Sequence, residues 1–409
     1  MDFAHTAKVE SLRKKLIHFM QHSVLPAEVA AAEYLRSNPD HWGPSPIMAE
    51  LKAQARELGL WNLFRAGDEN TPGLTNLEYA PLAELTGWSP LIAPEALNCS
   101  APDTGNMELL NRFGTAEQKS SWLEPLLAGD IRSCFSMTEP AVASSDANNV
   151  STRIEDAGHD WVITGRKWWT TGALRPECTV DLVMGVTDPD ARQGRRHSIV
   201  LVPMDSPGLT VLRSTSVLGY DDRQEGGHGE LVFDGVRVPK ENLLGPRGEG
   251  FSVAQTRLGP GRIHHCMRLV GMAERAIALM TGRARERVAF GTPLADKGVV
   301  QQWIAQARVD VDAARLMVLR AAWNMDANGA KAARHDIAAA KIMTPRVVKG
   351  VVDNAIQLFG GAGVSQDSTL AMMYSQARFL QIADGPDEVH ARSLARTELA
   401  AEPVLSVVR

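Results

Sequence analysis

Apolar and polar positions along the chain follow three successive rhythms. Over roughly the first 130 residues, apolar side chains return every three or four positions, the spacing of one helix face. Residues 46–60 put Leu51, Ala55 and Leu58 on one side, and Gly59 stands where a helix ends in a left-handed turn. Residues 76–85 and 117–127 carry the same stripe. From Cys134 to about Pro239 the period shortens toward two. Residues 150–154 and 161–164 flank a turn at 156–160, which predicts a hairpin, and 181–186, 197–202 and 230–238 are further strands. Five to seven short strands predict a small β-barrel or sandwich. From Gly248 long helical stripes return. The first steps through Ile263, Met267, Val270, Ala273, Ile277 and Met280, and the second through Val300, Ile304, Ala307, Val311, Ala314 and Val318. A third covers about 335–359, with Pro345 as a kink or fresh start and Gly360-Gly361 as its stop, and a fourth contains 370–382. Four such helices predict a bundle. The expected fold class is α+β: an N-terminal α-helical domain (1–132), a middle β-barrel or sandwich domain (133–245) and a C-terminal four-helix bundle (246–409).

A length of 409 residues fits two or three domains, and 44% apolar with 22% charged residues is ordinary for a globular protein. The net charge of −5, without a basic stripe, argues against nucleic-acid binding. Cys99, Cys134, Cys178 and Cys266 are scattered singly, which gives no metal spacing or disulfide framework and suits a reducing compartment. Residues 1–10 lack a secretory apolar core, and no run is long enough to span a membrane. The expectation is a cytoplasmic protein without nucleic-acid or membrane partners.

Residues 381–390 concentrate the candidate chemistry. Asp384 stands before Gly385-Pro386, a pair that turns the chain, so its carboxylate would sit on a bend at a helix junction. A solvated turn explains the same residues. No GxGxxG opens a βαβ unit, and Gly360-Gly361-Ala362-Gly363 follows a helix. The run 134–146 places small residues and hydroxyls (Thr138, Ser144, Ser145) after strand-like positions, and 167–172 holds adjacent tryptophans among hydroxyls. Both suit a flat aromatic cofactor, and core packing accounts for each taken alone.

Taken in order, TEP…SSD (138–146), GRKWWTTG (165–172), RVAFG (287–291), QLFGGAG (357–363) and an acid before glycine resemble the acyl-CoA dehydrogenase family over roughly residues 51–399. The ADGPDEVH run is most similar to family members ten and eleven and their stand-alone bacterial counterparts. The resemblance implies an FAD-dependent dehydrogenase with FAD bound between the β-domain and the bundle of a homodimer or homotetramer. It implies that Phe135, Met137, Thr138, Trp169 and Thr171 line the flavin, with Ser145 near flavin and substrate. Arg287, Phe290, Gln357, Gly360 and Gly361 would reach a neighbouring subunit's FAD. Arg262 and Gly385 would meet the acyl-CoA. Asp384 would take the α-proton while hydride leaves the β-carbon, and electron-transferring flavoprotein would be the acceptor.

Four departures stand out. Asp384 replaces the family's Glu and is shorter by about 1.5 Å. Pro386-Asp387-Glu388 replaces the usual Thr-x-Gln, which leaves Glu388 as the residue for that FAD contact. Lys297-Gly298 stand where a glutamine usually follows RxxFG, and Gly259 replaces an aspartate three residues before Arg262. A basic loop at 190–197 is a candidate for the CoA phosphates or a plain hairpin turn, and His264 and His265 read as packing or polar-face residues. Two other readings stay open: a nitroalkane-oxidase-type flavin oxidase, which uses an Asp base, and a catalytically silent scaffold.

Overall fold

The structure is a computed structural model that describes residues 4–65 and 73–401. It forms two compact units, Met1–Gly261 and Arg262–Arg409, and the division falls inside the long helix Gly250–Glu286. Residues 1–3 and 402–409, at the outer ends of the expected domains, lie outside the described set.

The first unit begins with helices and continues into a sheet. Helix Ile47–Glu57 buries Met48, Leu51 and Ala55, and Gly59 follows it at φ 70°, the left-handed conformation that glycine adopts at no steric cost. Helix Asn76–Thr86 opens with a reciprocal cap: the Glu78 amide donates to the Thr75 hydroxyl, and the Thr75 amide donates to the Glu78 carboxylate. Eight strands follow: β1 (Arg132–Ser136), β2 (Arg153–Ala157), β3 (Asp160–Thr171), β4 (Cys178–Val186), β5 (His197–Pro203), β6 (Leu209–Thr215), β7 (His228–Pro239) and β8 (Leu243–Leu244). They form one sheet in the order β6-β7-β3-β2-β4-β5-β8, with β1 parallel to β4. The expected hairpin is present as β2 and β3. Strand β6 escaped the sequence reading because most of its residues are exposed, so no apolar face marks it. The sheet core includes Ile154, Trp161, Ile163, Val183, Val200, Leu231, Phe233 and Val236.

One buried ion pair pins the chain that leaves β1. Lys167 Nζ, fully buried on β3, donates to Glu139 Oε1 and to the Met137 carbonyl, both at 2.9 Å. Burial opposes ionisation of Glu139, yet the Lys167 ammonium and donors from Ser151 and Thr152 hold its pKa down to about 2. Burial lowers Lys167 to about 8 against the pull of that carboxylate.

The second unit is helical. Beyond Arg262 it contains the rest of Gly250–Glu286, then Gly298–Asn328, Arg334–Phe359, Leu370–Phe379 and Asp387–Ala400. All six stripe residues from Ile263 to Met280 are buried, as are Val300, Ala307, Val311, Ala314 and Val318, while Ile304 is half-buried. Pro345 neither ends nor restarts its helix, which runs unbroken from Arg334 to Phe359. Among the described residues no helix is long and apolar enough to cross a membrane.

Candidate functional site

In the first unit, β1 and β3 bring the sequence-selected residues side by side. Phe135 lies in β1, with Met137 and Thr138 directly after it. The Thr138 hydroxyl donates to the Trp168 carbonyl at 2.6 Å, and the Trp168 amide donates back to the Thr138 carbonyl at 3.1 Å. This double link places 135–138 along 167–171. Pairing of β3 with β7 is interrupted between Lys167 and Thr170. There Trp169 takes φ 55°, a conformation that costs a bulky side chain on the order of 1–3 kcal/mol. Its half-buried ring lies 5.4 Å from the His228 ring. Thr171 Oγ1 is 2.9 Å from His228 Nδ1, and His228 Nε2 is 2.9 Å from Asp222 Oδ2. Phe135 carries the Arg257 guanidinium 4.4 Å from its ring centre. Burial raises the neighbouring Glu108 to about 7, against the pull of Arg257. Ser145 lies on an exposed turn, and its neighbour Ser144 accepts a 2.8 Å bond from the Glu139 amide.

In the second unit, the bend after helix Leu370–Phe379 presents Asp384 at φ 56°. Two residues one helical turn apart converge on it. Arg262 Nε donates to the Asp384 carbonyl at 2.8 Å, and His265 Nε2 lies 3.5 Å from carboxylate Oδ2. The carboxylate side chain keeps 22% exposure, neither sealed nor free in bulk water. Gly385 follows at φ 101°, against His390 and Arg262. Beneath the bend, buried Lys341 donates to the Leu380 carbonyl. Burial lowers the Lys341 pKa, and burial raises the nearby Cys266 thiol to about 11. Burial and the adjacent cations Arg262 and Lys341 push His390 down to about 4. Arg346 Nε donates to the buried Asp387 carboxylate at 2.9 Å, which fixes the start of helix Asp387–Ala400.

The remaining selected residues are at the surface of this unit. Glu388 is exposed on the first turn after the bend. Arg287 is exposed, and Phe290 is fully exposed at φ 52° in the turn between Val288–Ala289 and Thr292–Pro293. Gln357, Gly360 and Gly361 lie exposed where helix Arg334–Phe359 stops. Among the described residues seven non-glycine positions have positive φ, and Trp169, Phe290 and Asp384 are three of them. Backbone strain concentrates at functional positions, so this overlap is independent of the motif reading.

Sequence reasoning missed several partners. His265 reads as a packing or polar-face residue, although its spacing of three from Arg262 puts both on one helix face. His228 and Asp222 carried no periodic signal, since only the register of β3 against β7 brings His228 to Thr171. Lys341 stands in no motif, and His390 closes the 381–390 run with no role of its own assigned from the sequence. In the basic loop, Arg195 pairs with Glu249, just before the long helix, and Arg196 bonds the Ala191 carbonyl within the loop. Among the described residues no cluster of His, Cys, Asp and Glu could hold a metal ion.

The chemistry of the first-unit set suits a flavin. Phe135 and Trp169 leave flat aromatic surface, and Met137 apolar surface, half-exposed beside the hydroxyls of Thr138 and Thr171. Comparison with known proteins shows the family. Residues 134–236 match the acyl-CoA dehydrogenase middle domain, and 248–399 match its C-terminal domain. FadE2 of Mycobacterium tuberculosis, which carries an acyl-CoA dehydrogenase name, is 57% identical over 98% of both chains. Human acyl-CoA dehydrogenase family member 11 is 48% identical over 97% of this chain, and mouse family member 10 is 52% identical over 96%. The chain spans only 51% and 37% of those two proteins. A solved Mycobacterium abscessus structure assigned to the acyl-CoA dehydrogenases superposes with a TM-score of 0.94 at 48% identity, covering 97% of this chain and 99% of that one. Butyryl-CoA dehydrogenase of Megasphaera elsdenii gives 0.82 at 26% identity, covering 98% and 100%. A glutaryl-CoA dehydrogenase of Mycobacterium smegmatis, solved with FADH2, gives 0.80 at 22% identity, covering 98% and 96%, a likeness of fold alone.

Proposed function

Because this chain belongs to the acyl-CoA dehydrogenase family of FAD-dependent oxidoreductases, we propose that it converts an acyl-CoA thioester to the 2-enoyl-CoA, with Asp384 taking the α-proton. FAD, when bound, supplies the acceptor for the hydride that leaves the β-carbon. Phe135, Met137, Thr138, Trp169 and Thr171 would hold the flavin, with Arg287, Phe290, Gln357, Gly360, Gly361 and Glu388 completing its contacts in a homo-oligomer. Ser145, Arg262 and Gly385 would meet the substrate. The same proposal includes the three-part division at 132/133 and 245/246, a cytoplasmic location and electron-transferring flavoprotein as acceptor.

The observation that carries it is the bend at Asp384. A carboxylate on a left-handed residue, with the residue's carbonyl held by Arg262 at 2.8 Å and Oδ2 3.5 Å from His265, supports a base held in place rather than a loose turn. An unperturbed Asp, with a pKa of about 3.9, is a weak base for a C–H bond. Covering by substrate would desolvate the carboxylate and raise its basicity. The Asp384 amide would donate to the thioester oxygen, where one such donor is typically worth about 3–4 kcal/mol as negative charge develops. Proton transfer to the carboxylate leaves Asp384 as the neutral acid.

The test is anaerobic mixing of the FAD-loaded protein with a panel of acyl-CoAs, following loss of the yellow absorbance. Asp384→Asn should keep its FAD and lose bleaching by at least about 100-fold. Bleaching of that variant at the parent rate would remove Asp384 from the role of base. Oxygen uptake with nitroethane in place of acyl-CoA bleaching would replace the reaction altogether.

A further inference from the structure

Behind Thr171 lies a buried polar chain that the proposed reaction does not use. His228 stands opposite Thr171 in the register of β3 and β7 and is 1% exposed. Its Nδ1 lies 2.9 Å from Thr171 Oγ1, and its Nε2 lies 2.9 Å from Asp222 Oδ2. Asp222 is itself 7% exposed and takes φ 48°. The Ser214 hydroxyl accepts from the His228 amide at 3.1 Å and fixes the backbone there. A buried carboxylate, a buried imidazole and a strained aspartate backbone are costly together, so they need a reason beyond filling space.

The geometry points to Asp222 and His228 as positioning residues that set the polarity of the Thr171 hydroxyl. The argument follows the protons. A carboxylate only accepts, so His228 must carry its proton on Nε2. In the neutral imidazole Nδ1 is then an acceptor, and Thr171 donates its one hydroxyl proton inward. What Thr171 presents on its other side is lone pairs alone. This rests on the proposal that Thr171 lines the flavin. Reduction of a flavin adds an N–H to its ring system, and an acceptor-only hydroxyl at the ring pairs with the reduced form in preference to the oxidised one. Asp222 and His228 thus raise the midpoint potential of the bound cofactor without touching it.

A double-mutant cycle on the FAD-loaded protein tests this, with midpoint potentials read by equilibration against a reference dye. Asp222→Asn keeps the volume but offers His228 Nε2 a donor, which moves the imidazole proton to Nδ1 and turns the Thr171 proton outward. Thr171→Val removes the hydroxyl. Thr171→Val should shift the reduction equilibrium about tenfold toward the oxidised form, about 30 mV for a two-electron couple. Asp222→Asn should shift it about tenfold further in that direction when Thr171 is present than in the Thr171→Val background. The comparison cancels the loss of the Asp222 charge, which acts alike in both backgrounds. Additive effects, or a coupling of opposite sign, overturn the proposal. A potential unmoved by Thr171→Val also overturns it.

Nitrogen-15 shifts of the histidine rings in the wild-type protein give a second reading, one that needs a variant only for assignment. His228, assigned by its absence in His228→Gln, should show the Nε2–H tautomer, and an imidazolium or Nδ1–H tautomer refutes the assignment. The underlying functional reading fails separately: a parent protein that takes up no FAD, or whose FAD no acyl-CoA reduces, is recognised before the cycle begins.

Discussion

Gly385→Ala tests the bend that carries the proposed base. At φ 101° an L-residue is strained by about 1–3 kcal/mol whatever space surrounds it. The space is also short. A Cβ built at this position meets His390 Nε2 at 3.1 Å and Arg262 Nη2 at 3.6 Å. Arg262 is at ordinary contact distance, and His390, 5% exposed, is the neighbour that must give way. The strain alone predicts a fall in melting temperature of roughly 2–10 °C for a unit of this size. The displaced peptide carries Asp384 with it, and a shift near 1 Å costs on the order of 100-fold in the rate of flavin bleaching. Calorimetry and rapid-mixing absorbance read the two effects on the same sample. Gly282→Ala is the control: the site is helical and has nothing within 4 Å of the added carbon, so it should stabilise by about 0.5–1 kcal/mol. A Gly385→Ala protein that melts within about 1 °C of the parent and bleaches at the parent rate would refute the left-handed bend and the anchoring built on it.

Two further outcomes follow from buried ionisable groups. Glu139→Gln leaves the fully buried Lys167 ammonium without its carboxylate and should cost on the order of 3–5 kcal/mol in denaturant unfolding, and a loss below about 1 kcal/mol would show the pair is dispensable. His264 and His390 sit at about 3 and about 4, below the ordinary 6.5, because burial disfavours their charged forms. Between pH 6.5 and 4 the unfolded chain therefore binds protons that the folded one does not, and stability should fall across that window, by on the order of 3 kcal/mol from His390 alone. Unfolding free energies of parent and His390→Gln that run parallel from pH 7 to 4.5 would contradict this.

The long amphipathic elements were legible because burial on one face imposes a period on the chain. The stripe from Ile263 to Met280 needs no tertiary knowledge, and its buried face is the one its spacing predicts. Strand β6 was not legible, since residues exposed on both sides obey no alternation. Pro345 is not the fresh start that its ring chemistry allows: the helix runs through it, with Thr344 and Pro345 buried. The site divides in the same way. Asp384, Trp169 and Thr171 stand in short motifs that the chain displays directly. His265, His228 and Lys341 act through neighbours 39 to 119 positions distant, and Asp222 acts only through His228, so no local pattern encodes these pairings.

The shorter acid at position 384 has a physical reading in the backbone. Left-handed φ is several-fold enriched in Asp and Asn, whose short polar side chains bond locally, and it is unfavourable for longer side chains. At φ 56° the bend selects Asp over Glu on conformational grounds before any chemistry is considered. In the proposed role of Asp384 as base, the reach lost with one methylene must be recovered by moving the main chain, and Arg262 grips the main chain at this residue through the carbonyl. His265, one turn further along the same helix, faces the carboxylate itself. A helix that holds both ends of one residue defines its direction as well as its position. The substitution of Asp for Glu, the left-handed turn and the Arg262–His265 pair are therefore best read as one adaptation, in which backbone placement replaces side-chain length.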